Sequence, residues 1–257
     1  MIALPEYLIE MVIGFLLPFF RVASFIMVVP IFGNQFVPIR IKLLLSLLVS
    51  VLIYPLVGEI PLVEPLSIAM IFIVLEQIFI GVFLAFVLQV FFHIFVLAAQ
   101  MIAMPMGLGF ASMIDPTNGI SVTVLSQFYA LCVTLLFLSF NGHLILFEIF
   151  IQSFSFVPIG AETLSKFSPI KLVSMGSWML SSALLISLPA ITAILIVNFS
   201  FGVMTRSAPQ LNIFSLGFPF TLMFGLLIIW FSFANFIPQF ENLTGEVFLK
   251  LKDLLGS

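Results

Sequence analysis

The chain has 257 residues, 63% of them hydrophobic and 7% charged, with a formal net charge of −3. Soluble domains carry about 25% charged residues and need them to stay dispersed. This composition excludes a soluble enzyme, a nucleic-acid binder and a disordered chain, and leaves an integral membrane protein built of helices. The eight Lys and Arg are scattered and form no basic stripe for phosphates. A single cysteine, Cys132, permits no internal disulfide and no cysteine-built metal site, and reads as a small hydrophobe in an apolar run.

The amino end, MIALPEYLIE, has Glu6 and Glu10 where a secretory signal would be positive, so it is expected to be retained. Apolar runs of about 18 residues or more read as spanning helices. Six follow in order: Tyr7 to Phe32, interrupted by Arg21; the short Leu43 to Val57; Ile68 onward to Ala103; Val122 past Asn141 and Gly142 towards Phe156; Trp178 to Phe201; and Phe214 to Phe236. These runs are continuously apolar, unlike the alternating strands of a membrane β-barrel. The expected fold is an all-α integral membrane protein with about six long hydrophobic helices.

Turn residues separate the runs: Gly33-Asn34 and Pro38; Pro55, Gly58, Pro61 and Pro65; Pro158 and Gly160; and Pro209, Gly217 and Pro219. In the tail, residues 238–257, Val247, Phe248, Leu251, Leu254 and Leu255 share one face of an amphipathic helix. Basic residues do not orient the chain. Arg40, Lys42 and Arg206 fall on one side of six spans, and Lys166, Lys171, Lys250 and Lys252 on the other. So even a balance suits a subunit whose position is set by its partners.

Charged and ionisable groups inside spans cost roughly 2.5–3.5 kcal/mol each at mid-membrane. Arg21, Glu76, His93, His143 and Glu148 are such groups. One reading is a proton or ion relay, with the glutamates as carriers and the histidines as shuttles. The other is structural: pairing with a partner subunit, snorkelling, or placement near a helix end. His143 and Glu148 are five residues apart, off the i, i+4 spacing of a helical metal pair. No phosphate-cradling or dinucleotide motif is present, so neither a metal nor a cofactor is expected.

Residues 104–121, MPMGLGFASMIDPTNGIS, are the most informative stretch. Gly107, Gly109 and Gly119 let the backbone bend. Met104, Met106 and Met113 are flexible gap-fillers beside Phe110. Asp115-Pro116 and Asn118-Gly119 are turn signals. Non-helical backbone at membrane depth is tolerated only when buried in protein or lining a cavity. The stretch reads equally as a movable apolar closure in a conduit or as an ordinary loop between spans.

The order of motifs is similar to that of the flagellar biosynthetic FliR family. Its amino-terminal signature is matched by Arg21, Pro30, Ile31, Phe32, Gly33, Pro38 and Arg40. The central stretch resembles it at Gln100, Gly107, Gly109, Phe110, Ala111, Asp115, Pro116 and Gly119, followed by Asn141-Gly142-His143. Ala208-Pro209-Gln210-Leu211-Asn212, then Phe214, Gly217, Phe218 and Pro219, complete it, so nearly the whole chain is covered.

The resemblance implies a non-enzymatic subunit of the flagellar type III secretion export gate, in the basal body at the bacterial inner membrane. Its partners would be FliP-type and FliQ-type subunits in a helical, closed complex of bent hairpins, together with FlhB and FlhA, lipid, and unfolded flagellar substrates. It further implies one FliR-like domain over residues 1–257, with a FliP-like portion over 1–157, a plug loop over 104–121 and a FliQ-like hairpin over 178–237. The methionine gasket would come chiefly from the FliP-type partner, leaving Met104, Met106 and Met113 beside the plug. Arg21, Arg40, Glu76, His143, Pro209, Gln210 and Asn212 would be structural or partner-contact polar residues. Two rivals remain: a proton-coupled transporter using Glu76, His93 and Glu148, and a static scaffold whose loop does not gate.

Overall fold

The computed structural model describes residues 4–58, 64, 67–110, 112–114, 121–160, 169–207 and 213–255. Eight α-helices account for most of them: α1 (Leu4–Val28), α2 (Ile39–Ile53), α3 (Ile68–Ala103), α4 (Val124–Ser139), α5 (Gly142–Phe156), α6 (Pro169–Ser207), α7 (Ile213–Ser232) and α8 (Phe236–Leu255). Two three-residue strands, β1 (Ser112–Ile114) and β2 (Ser121–Thr123), lie between α3 and α4. Among the described residues, five stretches are long and apolar enough to cross a membrane, or six if the bent pair α4–α5 is one span. The fold is that of an all-α integral membrane protein.

The boundaries shift for local reasons. The first helix stops at Val28, and Phe32 falls in the turn that follows. That turn needs Gly33, where a Cβ would sit 2.6 Å from the Met27 carbonyl oxygen and 2.7 Å from that of Val29. The fourth run is not one helix. Asn141 adopts φ 56°, a left-handed conformation that asparagine tolerates, and the flanking helices are bent by 71°. Gly142 follows because the Phe137 ring occupies the place its Cβ would take. Gly217 and Pro219, expected in a turn, lie inside α7. A proline in a span is tolerated because neighbouring groups re-satisfy the freed carbonyl.

The chain divides into two compact units. The first comprises residues 1–89, 137–173 and 247–257. Here α1 runs against α5 through two pairs one helical turn apart, the Arg21 guanidinium 4.3 Å from the Phe154 ring centre and Phe25 stacked on Phe150 at 4.2 Å, and Phe32 in the turn beyond α1 meets Phe147 at 5.8 Å. Against α3, α1 comes close enough that a Cβ on Gly81 would overlap Ser24 Oγ and the Arg21 carbonyl. Gly81 and Ala85 form the small-xxx-small spacing that lets membrane helices approach. The second helix inverts the usual pattern. It buries Ser46 and Ser50, whose hydroxyls donate to the Lys42 and Ser46 carbonyls at 2.7 Å, and exposes Leu44, Leu48 and Leu52.

The second unit comprises residues 90–136 and 174–246. Its interior is aromatic. Phe95 of α3 and Tyr129 of α4 both pack on Phe236 of α8, at 5.6 and 5.2 Å between ring centres, and Phe91 meets Phe240 at 5.8 Å. In this unit α8 buries Phe236, Phe240 and Leu243, while its buried Val247 and Leu251 belong to the first unit. Apolar burial on α8 begins earlier than the sequence pattern suggested, and Phe248 and Leu254 are only half-buried. Trp178 of α6 donates its indole N–H to Glu246 Oε2 at 2.7 Å.

Candidate functional site

The 36-residue apolar helix α3 ends where Pro105 would continue it, since proline lacks the N–H and clashes with the preceding turn. The Met104 N–H still donates to the Gln100 carbonyl at 3.2 Å, and the Gly107 N–H closes a turn on the Met104 carbonyl at 3.1 Å. Gly107 has φ 82°, a conformation that costs an L-residue roughly 1–2 kcal/mol. A Cβ on Gly109 would lie 2.7 Å from the sulfur of Met104, an exposed and flexible side chain that can move aside. Gly107 is therefore the glycine whose dihedral shapes the bend.

Beyond a 3-10 turn at Leu108–Phe110, the chain forms an antiparallel hairpin in which Ser112 faces Thr123, Met113 faces Val122 and Ile114 faces Ser121. This was not legible as strand. The sequence suggested a movable closure or an ordinary loop and began the next apolar run near Val122, whereas the helix starts at Val124. Thr123 caps it: the Ser126 N–H donates to Thr123 Oγ1 at 3.2 Å. Ser126 Oγ also donates to the Val96 carbonyl of α3 at 3.0 Å. A hairpin satisfies its own strand groups, which makes non-helical backbone compatible with an apolar setting. Asp115, Pro116 and Gly119 lie outside the described residues.

The methionines of this stretch differ. Met106 is 0% exposed and Met104 58%. Met106 packs on α7, where a Cβ on Gly225 would lie 2.5 Å from Met106 Cε. The Asn198 side-chain amide of α6 donates to the Pro105 carbonyl at 3.1 Å, and Ser187 Oγ lies 3.6 Å from Met101 Sδ. Sequence reading did not single out Asn198, Ser187 or Gly225. A lone asparagine in an apolar span is the signal that could have pointed to the first.

A second polar centre lies in the other unit. Arg21 is 0% exposed, and its guanidinium is fully engaged. Nε donates to Gln77 Oε1 at 2.8 Å, one terminal nitrogen to the Ser153 carbonyl at 3.1 Å, and the other to the Val157 carbonyl at 2.9 Å. The last two acceptors belong to the carboxyl end of α5, the negative end of its dipole; the Ser153 carbonyl also accepts the Val157 N–H at 3.0 Å. Glu76, also buried, interacts electrostatically with Arg21. Arg21 thus fastens α1, α3 and α5 together.

The remaining candidates are not gathered into one site. Arg40 is exposed in the first turn of α2. His143 is half-buried in the first turn of α5, and its Nδ1 has no hydrogen-bond partner among the described residues. Glu148 is exposed and accepts from Gln152 Nε2 at 3.2 Å. His93 is half-buried on α3. Pro209, Gln210 and Asn212 lie outside the described residues. Among those described, no group of three His, Cys, Asp or Glu side chains is spaced to hold a metal ion.

A multi-span helical membrane protein with an inserted hairpin is a class, and comparison with known sequences narrows it. Residues 12–247 match the family described as bacterial export proteins, family 1, and the chain belongs to that family. It is 34% identical over 241 residues to the flagellar biosynthetic protein FliR of Escherichia coli K12, covering 93% of this chain and 91% of that one. The FliR of Pectobacterium carotovorum is 34% identical over 250 residues, covering 96% and 95%. That of Buchnera aphidicola from Acyrthosiphon pisum is 31% identical over 240 residues, covering 93% of each.

Proposed function

We propose that the chain is a non-enzymatic subunit of a flagellar type III protein export gate at the bacterial inner membrane, in the basal body. It would form part of a closed secretion pore through which unfolded flagellar proteins leave. FliP-type and FliQ-type subunits would complete the pore, and FlhB and FlhA would work with it. The observation that carries this reading is the near full-length similarity to FliR proteins. The hairpin between two membrane-length stretches supports the finer part. In this reading residues 104–121 are a steric plug, whose apolar groups fill the conduit while it is closed.

Co-expression of the tagged chain with its neighbouring genes, followed by gentle detergent extraction and native mass measurement, tests the assembly. A large hetero-oligomer containing other small membrane subunits is expected, and a stable monomer or homodimer would contradict it. For the plug, removal of residues 108–121 should leave the native mass unchanged and raise potassium chloride conductance of the reconstituted complex well above that of the parent. Unchanged conductance in an assembled deletion complex would sink the plug and leave the subunit reading standing.

A further inference from the structure

The hairpin has two roots, and they are held differently. The trailing root is tied to the helices the loop itself joins: Thr123 caps α4, and Ser126 Oγ bonds to Val96 on α3. Movement of other helices leaves these bonds intact. The leading root is tied elsewhere. The Pro105 carbonyl accepts from Asn198 on α6 at 3.1 Å, and Met106 fills the space that Gly225 on α7 leaves open. Ser187 on α6 adds a contact to the Met101 sulfur at 3.6 Å.

We infer that Asn198 and Gly225 are positioning residues that hold the loop in its closed placement, making α6 and α7 the elements whose displacement frees it. This rests on the plug reading above and extends it to a control point. Pro105 breaks α3, so a carbonyl near the break has no helical N–H to accept. In an apolar setting it takes the nearest donor, and Asn198 is a polar side chain in an otherwise apolar stretch that supplies one. Gly225 is buried, and Met106 is the residue just before the left-handed turn at Gly107. A shift of the Gly225 backbone therefore bears directly on the side chain at the start of the bend. One hydrogen bond and one socket make a weak hold, which suits a closure that must open.

The test uses the full assembled complex, reconstituted and read by potassium chloride conductance, with the 108–121 deletion as reference. Asn198→Leu keeps the volume and removes the donor; it should raise closed-state conductance roughly three- to tenfold with unchanged native mass. Asn198→Gln keeps the amide and should lie between it and the parent. Gly225→Ala forces Met106 out of its socket and should also leak, while Gly225→Ala combined with Met106→Ala should leak less than Gly225→Ala alone. If the deletion leaks while Asn198→Leu and Gly225→Ala conduct like the parent, the inference fails and the plug survives. If the deletion itself does not leak, the plug reading fails and takes the inference with it.

Discussion

Replacing Arg21 with alanine is expected to destabilise the folded chain by about 3–5 kcal/mol, the usual cost of removing one partner from a buried charged network. Insertion energetics alone give the opposite sign, since an arginine in a span costs roughly 2.5–3.5 kcal/mol. The folded geometry decides between them. Without the guanidinium, Gln77 Oε1 and the Val157 carbonyl lose their donor, the Ser153 carbonyl keeps only the Val157 N–H, and buried Glu76 loses an electrostatic partner. Arg21→Lys should recover only part of the loss, because one ammonium cannot span acceptors that the guanidinium fork reaches from three nitrogens. Thermal unfolding of the purified assembly, with recovery of intact chain, measures this. An alanine variant as stable as the parent would show that the network is not needed.

At Gly81, substitution by leucine should separate α1 from α3, and even alanine should destabilise. In an isolated helix, Gly→Ala gains about 1 kcal/mol from helix propensity. Here the new Cβ would overlap the Arg21 carbonyl, which is backbone and cannot rotate away. Overpacking of that kind costs typically 1–3 kcal/mol and should outweigh the gain. Ser24→Ala on the Gly81→Ala background should relieve the clash with the hydroxyl and leave the one with the carbonyl. Partial recovery in the double variant is therefore the expected pattern. A Gly81→Ala chain more stable than the parent would mean that the two helices can part without loss.

The apolar helices were legible because a run such as Ile68 to Ala103 carries its own length signal, and nothing in its composition competes. The fourth apolar run was read past Asn141-Gly142, where the structure breaks it. That break, two helices in place of one run, depends on a left-handed residue that hydropathy does not see. The hairpin was not legible. Ser112–Ile114 and Ser121–Thr123 are three residues each, too short for a period-two pattern to stand out. Arg21 was conspicuous as a charge in a span, yet its acceptors Ser153 and Val157 are over 130 positions away and come from backbone carbonyls, which have no sequence signature. Asn198 and Gly225 went unremarked for a related reason. Each matters only through Pro105 and Met106, which tertiary packing brings to them.

The second helix has a consequence for anyone who would engineer this protein. Its hydroxyl ladder points inward and its leucines outward. A redesign guided by ordinary globular intuition, greasing the centre and wetting the rim, would replace Ser46 and Ser50 with bulkier residues and wedge the helix away from its neighbour. A more polar version of this helix should instead repaint its outward residues, Ile41, Leu43, Leu44, Leu47, Leu48, Val51 and Leu52 among them, leaving the serines untouched. The recipe is opposite to the one for a cytosolic bundle, though the helix is wound from the same residues.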